Sequence, residues 1–339
     1  RRLAAPILTR VLDAAPARRA MAARIAAACG REVFADCVSA VRAPGARAAL
    51  AAVAGEGSEV EIASLGRLVR DADPGVRAAA SRSERRILTR PRPPVRLVTL
   101  GGLTVWRGDA QVPDSAFVRR KARGILAALA CARGPVHREM LVEWFWPALP
   151  PERGLAALYV TLHDLRRALE PDLGRGVPSS LIVGEDEAYR LVLGPRDRWD
   201  VAEFLDLAAA GGDDGLAGLE AAEAAYTGRL LPEWPFEEWC ASLRVEVEDA
   251  RVSVLERLAA ALLKAGRSAE AAVRYQALLG VDAEREAWHR GLMRAYARSG
   301  ELALALRQYH ACRAQLRRAQ GTEPSGATRA LYAEILGAG

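Results

Sequence analysis

The sequence predicts a mainly α-helical chain with one small α+β domain at its centre. It reads as a winged helix-turn-helix, preceded by a helical segment and followed by tetratricopeptide-like helical repeats. Three observations predict this. Two stretches near the C-terminus repeat at a fixed offset of 34 residues. The middle of the chain runs strands, three helices, hairpin. Between the first part and the middle stands "TRPRPP" (89–94), whose three prolines stop helical structure.

Residues 1–88 are rich in alanine and arginine at helical periodicity, with breaks near Pro16, Gly30, Pro44 and Gly55. "DADPGVRAAA" (71–80) resembles the turn of a HEAT-type repeat; an irregular helical segment fits it equally well. The chain opens on "RRLAAPIL" without a methionine, as expected of a piece of a longer protein. Residues 89–94 are expected to be a proline-rich linker.

Residues 95–198 form the predicted winged-helix domain. "VRLVTL" (95–100), a Gly101-Gly102 turn and "LTVWRG" (103–108) alternate with period two and predict a hairpin, with 110–112 as a third short strand. Helices are expected over Arg120–Ala132, over Arg138–Phe145, and from the Pro150-Pro151-Glu152 start signal to Leu169. "SLIVGEDEAYRLVL" (180–193) then predicts a second hairpin, the wing, with its tip near 185–188.

In the third helix Leu155, Leu158, Leu162, Leu165 and Leu169 recur at steps of three and four and make a core stripe. At 100° per residue the outer face carries Val160, His163, Asp164 and Arg167, with Arg153 one turn upstream and Arg166 at the flank. In this architecture that face is the one offered to the major groove, where arginine reads base edges or phosphates and Val160 can meet a thymine methyl. Asp164 lies three residues before Arg167, close enough for a helical ion pair that would aim the guanidinium. Arg119, Arg120, Lys121 and Arg123 open the first helix and are candidates for phosphate contact. Against this stands the acidic wing tip, Glu185-Asp186-Glu187.

Residues 199–339 return to helical periodicity. Aligning 255–279 with 289–313 pairs Leu258 with Leu292, Ala261 with Ala295, Gly266 with Gly300, Ala271 with Ala305 and Tyr275 with Tyr309. The offset is the period of a tetratricopeptide repeat, with small residues where paired helices meet and glycine at the turn. Trp234, Phe236 and Trp239 are expected to pack under these repeats. Arg290, Arg294, Arg298 and Arg307 on the inner helices are candidates for partner contact.

Charge divides the chain's tasks. Residues 1–94 carry 17 basic and 9 acidic side chains (+8), residues 95–198 carry 15 and 12 (+3), and residues 199–339 carry 16 and 21 (−5). A broad nucleic-acid surface is therefore excluded from the last part, which is better suited to binding protein. There is no GxxxxGK[ST], HExxH, GxGxxG or GxSxG pattern and no cluster at metal-ligand spacing, so no enzyme chemistry, cofactor or metal is expected. Five scattered cysteines without a CxxC pair fit a reducing, cytoplasmic setting, and no apolar run is long enough for a membrane span.

"VRLVTLGGLTV", "RRKARGILAALA", "VTLHDLRRALEP", "AYRLVL", "WDVAEFLDL", "YTGRLLPEWPFEEW" and "AWHRGLMRAYARSGELALALRQYHACRAQLRRAQGTEP" follow one another from Val95 to about Leu336. In these motifs and their order the chain resembles the SARP-type antibiotic regulatory activators, an OmpR-like winged helix joined to a bacterial transcriptional activator domain. The resemblance implies sequence-specific binding of promoter DNA, activation through RNA polymerase, and pairing of protomers on direct repeats. The family's third helix commonly reads "LRVTLSRLRRAL"; here Tyr159, His163 and Asp164 replace an arginine, a serine and an arginine. Two readings of function follow: a DNA-binding activator, or a protein-interaction module whose winged helix has given up DNA.

Overall fold

The computed structural model describes residues 4–29, 31–54, 68–88, 92–171, 173, 178–210 and 215–337. They fall into two compact units, and the division departs from the expected boundary at 198/199 in two places. The first unit takes residues 1–99, 103–199 and 233–241; the second takes 100–102, 200–232 and 242–339.

The first unit opens with helices α1 (Ala4–Ala14), α2 (Arg19–Ala28), α3 (Arg31–Ala40), α4 (Pro44–Ala54) and α5 (Pro74–Leu88). Leu12, Phe34, Leu50 and Val76 are buried among them. The Asp-Pro turn seen in the sequence is the N-cap of α5: Asp73 Oδ1 accepts from the Gly75 and Val76 amides at 2.9 and 3.0 Å. Gly30, Gly55 and residues 89–91 of the expected linker lie outside the described residues. Arg92, just after them, is tied down by Asp197 at 2.8 Å, and Asp197 also accepts from the Val95 amide at 2.7 Å. Burial raises the Asp197 carboxyl, but Arg92 and the two backbone amides outweigh it and hold the group below the ordinary carboxylate value.

The predicted hairpin is β1 (Val95–Val98) and β2 (Thr104–Arg107), extended by β3 (Ala110–Gln111). Helices α6 (Arg120–Ala132), α7 (Arg138–Phe145) and α8 (Pro151–Leu169) follow, with a short strand β4 (Val136–His137) before α7. The wing is β5 (Ile182–Glu185) and β6 (Ala188–Leu191). A strand that sequence reasoning did not find, β7 (Arg198–Trp199), runs parallel to β1 and completes a sheet of order β3-β2-β1-β7. The wing sheet has the order β4-β6-β5. Val183 of the wing is 1 % exposed and belongs to the core of the N-terminal helices, with Val192 packed against it. Residues 1–88 are thus not a separate body.

The tryptophan-rich stretch expected under the repeats belongs instead to this first unit. The Trp239 ring lies 6.3 Å from that of Phe145, and Glu233 accepts from the Leu103 amide at 2.7 Å. Phe236, expected to pack with the two tryptophans, is instead 93 % exposed.

The second unit contains α9 (Asp200–Ala210), α10 (Gly215–Ala225), α11 (Ala241–Lys264), α12 (Ser268–Val281), α13 (Glu286–Arg298), α14 (Leu302–Gln320) and α15 (Gly326–Gly337). The 34-residue repeat is real in the backbone. Gly266 and Gly300 both sit in the left-handed region, at φ +78° and +80°. After each, the chain closes the same C-terminal motif: Arg267 N to Leu262 O and Glu301 N to Tyr296 O, both at 2.9 Å. Leu258, Ala271, Tyr275, Trp288 and Leu292 share one core, and Met293, Ala305, Tyr309 and Leu331 the next.

His289 is buried in this unit, with Nε2 2.9 Å from the Ala283 carbonyl and Nδ1 2.6 Å from the Gln308 amide nitrogen. Burial lowers its pKa, so the folded chain keeps it neutral where the unfolded chain protonates. The sign is then fixed: its contribution to stability is full above the unfolded value of about 6.5 and is lost as pH falls below it. Denaturant unfolding from pH 7.5 to 5.0 should show a steeper loss of stability for the wild type than for His289→Gln; parallel curves would contradict the assignment.

Candidate nucleic-acid interface

The helix-turn-helix is α7 and α8. Its close crossing depends on Gly154, where a Cβ would lie 2.4 Å from Val142 Cγ1. Pro151 and Glu152 begin α8 as the start signal predicts, and Leu158, Leu162, Leu165 and Leu169 face inward, all buried. At its far end the buried Glu170 accepts from Ser179 Oγ and from both the amide and the hydroxyl of Ser180, which fixes the lead into the wing.

The outward face is largely as periodicity placed it. Arg153, His163 and Arg167 are exposed, and Tyr159 and Val160 are 42 and 46 % exposed. The aspartate is not where local spacing put it. Asp164 is ion-paired with Arg119, which lies 45 residues earlier just before α6, and not with Arg167. Arg167 makes no ion pair among the described residues and lines a groove of about 460 Å³ with Arg107, Gln111, Val118 and Asp164.

Most of the predicted phosphate-binding cluster has structural partners. Lys121 donates to the Phe145 carbonyl at the end of α7 and sits 4.7 Å over the Trp146 ring. Arg123 donates to Asp114 Oδ2 and to the Leu103 carbonyl, each at 2.6 Å. Arg119 serves Asp164. Of the four, Arg120 alone stays exposed with neither a side-chain hydrogen bond nor an ion pair among the described residues. Arg166 is likewise drawn inward: Nε and Nη2 donate to the Ile182 carbonyl at 3.1 and 3.0 Å, and the guanidinium lies 5.9 Å over the Tyr189 ring. Local periodicity finds which way a side chain leaves its helix, but a long guanidinium goes on to the nearest strong acceptor.

The wing tip is a two-residue turn with both residues left-handed, Asp186 at φ +43° and Glu187 at φ +67°, as in a type I′ hairpin. Its three acids have partners. Arg138 pairs with Glu187 at 2.7 Å, while Arg70 pairs with Asp186 and lies 3.3 Å from Glu185. Neither Arg138 nor Arg70 was singled out from the sequence, because pairings this distant leave no spacing signal.

Among the partner candidates, Arg290 donates to Thr328 Oγ1 at 3.0 Å, and Arg298 caps the preceding repeat through the Leu263 carbonyl at 3.0 Å. These two hold the repeats together; Arg294 and Arg307 are exposed. Among the described residues no group of three or more His, Cys, Asp or Glu side chains is placed to hold a metal ion, and no helix is long and apolar enough to cross a membrane. None of the five cysteines is joined to another in a disulfide.

A winged helix-turn-helix followed by paired helical repeats defines a class of bacterial regulator, and comparison with known proteins agrees. Residues 199–336 match the bacterial transcriptional activator domain. The chain is 28 % identical over 227 residues to the transcriptional regulatory protein MoaR1 of Mycobacterium tuberculosis, covering 64 % of this chain and 72 % of that one. It is 28 % identical over 251 residues to the regulatory protein AfsR of Streptomyces coelicolor, covering 71 % of this chain but 24 % of AfsR. The solved structure of Mycobacterium tuberculosis EmbR, in complex with a low-affinity phosphopeptide, shares the fold at a TM-score of 0.60 and 23 % identity, over 73 % of this chain and 66 % of that one. The chain is thus similar, in its matched domain and in its relatives, to SARP-type transcriptional regulators.

Proposed function

We propose that the chain activates transcription by reading promoter DNA with the outer face of α8, in the cytoplasm, while residues 199–339 bind RNA polymerase. The reading rests on one observation above others: Arg153 and Arg167 flank the exposed Val160 on one helical face and are not consumed by acids among the described residues. Two guanidiniums and an apolar contact are a sufficient vocabulary for guanine, phosphate and thymine methyl. Arg120 adds a phosphate contact from α6. Asp164, held by Arg119, braces the face without offering a bare carboxylate to the backbone. The acidic balance of residues 199–339 keeps that part off DNA and suits a protein partner. Two protomers would occupy direct repeats.

Fluorescence anisotropy with promoter and random genomic fragments, at several salt concentrations, tests this. Tighter, salt-sensitive binding to promoter DNA is expected. Absence of binding at low salt by a folded chain would favour the protein-interaction reading, which the pairing of Arg119, Lys121 and Arg123 within the protein otherwise supports.

A further inference from the structure

The wing carries three acids in succession, a poor choice for a hairpin meant to lie against phosphates. Each has a defined local use. Glu187 pairs with Arg138 at the start of α7. Asp186 and Glu185 face Arg70, which belongs to the N-terminal helical segment and reaches the tip from 115 or more positions earlier in the chain. Beneath them Val183, 1 % exposed, is part of the N-terminal core, and Val192 packs on the same core. An apolar anchor under an ion-paired rim is the anatomy of a protein interface. The hairpin is also joined to α8, because Arg166 donates twice to the Ile182 carbonyl and covers Tyr189.

We propose that the wing is a docking surface whose partner is the N-terminal helical segment of the same chain, and that DNA is read without it. Arg70 and Arg166 are then positioning residues. Arg70 holds the wing to the N-terminal helices, and Arg166 holds the wing to α8. Whatever moves the N-terminal segment is thereby linked to the seat of α8. The second half of this inference rests on the DNA reading above; the first half does not.

Two measurements on the whole chain decide it. Hydrogen exchange of Arg70→Glu, at a side chain 62 % exposed, should speed exchange over residues 68–88 and 182–191 together and leave 258–295 unchanged. Adding Asp186→Arg should restore protection in both segments. Faster exchange confined to one segment, or no rescue, would overturn the docking. Glu185→Gln/Asp186→Asn should leave the slope of log affinity against log salt at its wild-type value for DNA binding. A slope that departs from the wild-type value would place the wing against phosphates and overturn the inference. A wild type that binds no DNA would overturn the DNA reading and the second half with it, while the exchange data still decide the docking.

Discussion

Leu162→Ala is expected to destabilise the first unit by about 2–5 kcal/mol. Leu162 is 1 % exposed, at the middle of the stripe that seats α8, with Leu158 and Leu165 fully buried beside it. Removing one methine and two methyl carbons there loses their transfer energy and leaves a cavity. The walls cannot close on it readily, because Gly154 already brings α8 against Val142 and Glu170 pins the helix end. A loosened α8 would also present Arg153, Val160 and Arg167 in poorer register, so DNA affinity should fall with stability. Urea unfolding checks the first effect, and a loss below about 0.5 kcal/mol would mean that the stripe is not the seat.

Gly291→Leu is expected to cost about 3 kcal/mol or more in the repeat unit, at the upper end of overpacking effects. A Cβ built on Gly291 would lie 2.3 Å from two atoms of the Tyr275 ring, well inside contact distance. Tyr275 is buried in the core with Leu258, Trp288 and Leu292, so its ring has nowhere to go without displacing the next repeat. A leucine gains roughly 0.8 kcal/mol of helix propensity over glycine, which offsets only part of this. Thermal unfolding should show the change in the second unit. A melting temperature equal to the wild type would show that α12 and α13 are not pressed together at this point.

Legibility followed the range of the interactions. The bounds of α6 and α7, the start of α8 and the two glycine turns were readable because periodicity, proline and left-handed glycine act within a few residues. The inward leucines of α8 were readable for the same reason. Asp164 shows where that stops: spacing offered Arg167 as its partner, and the fold supplied Arg119 from another element. The same holds for Arg166 turned to Ile182, Lys121 to Phe145 and Arg298 to Leu263, where a carbonyl distant in sequence captured a cation read as free. β7 was missed because two residues give no periodicity, and parallel pairing with β1 needs no local turn. The tryptophan motif at 234–239 was placed with its neighbours in sequence, although its aromatic surface belongs with Phe145.

The claim that the outer face of α8 reads DNA is tested most directly by Arg167→Ala, measured by anisotropy against promoter DNA at two or more salt concentrations. Arg167 is exposed and makes no ion pair among the described residues, so its removal leaves the fold intact. A loss of about 1–3 kcal/mol in specific binding is expected, roughly five- to 150-fold in affinity. Promoter affinity unchanged from the wild type would contradict it.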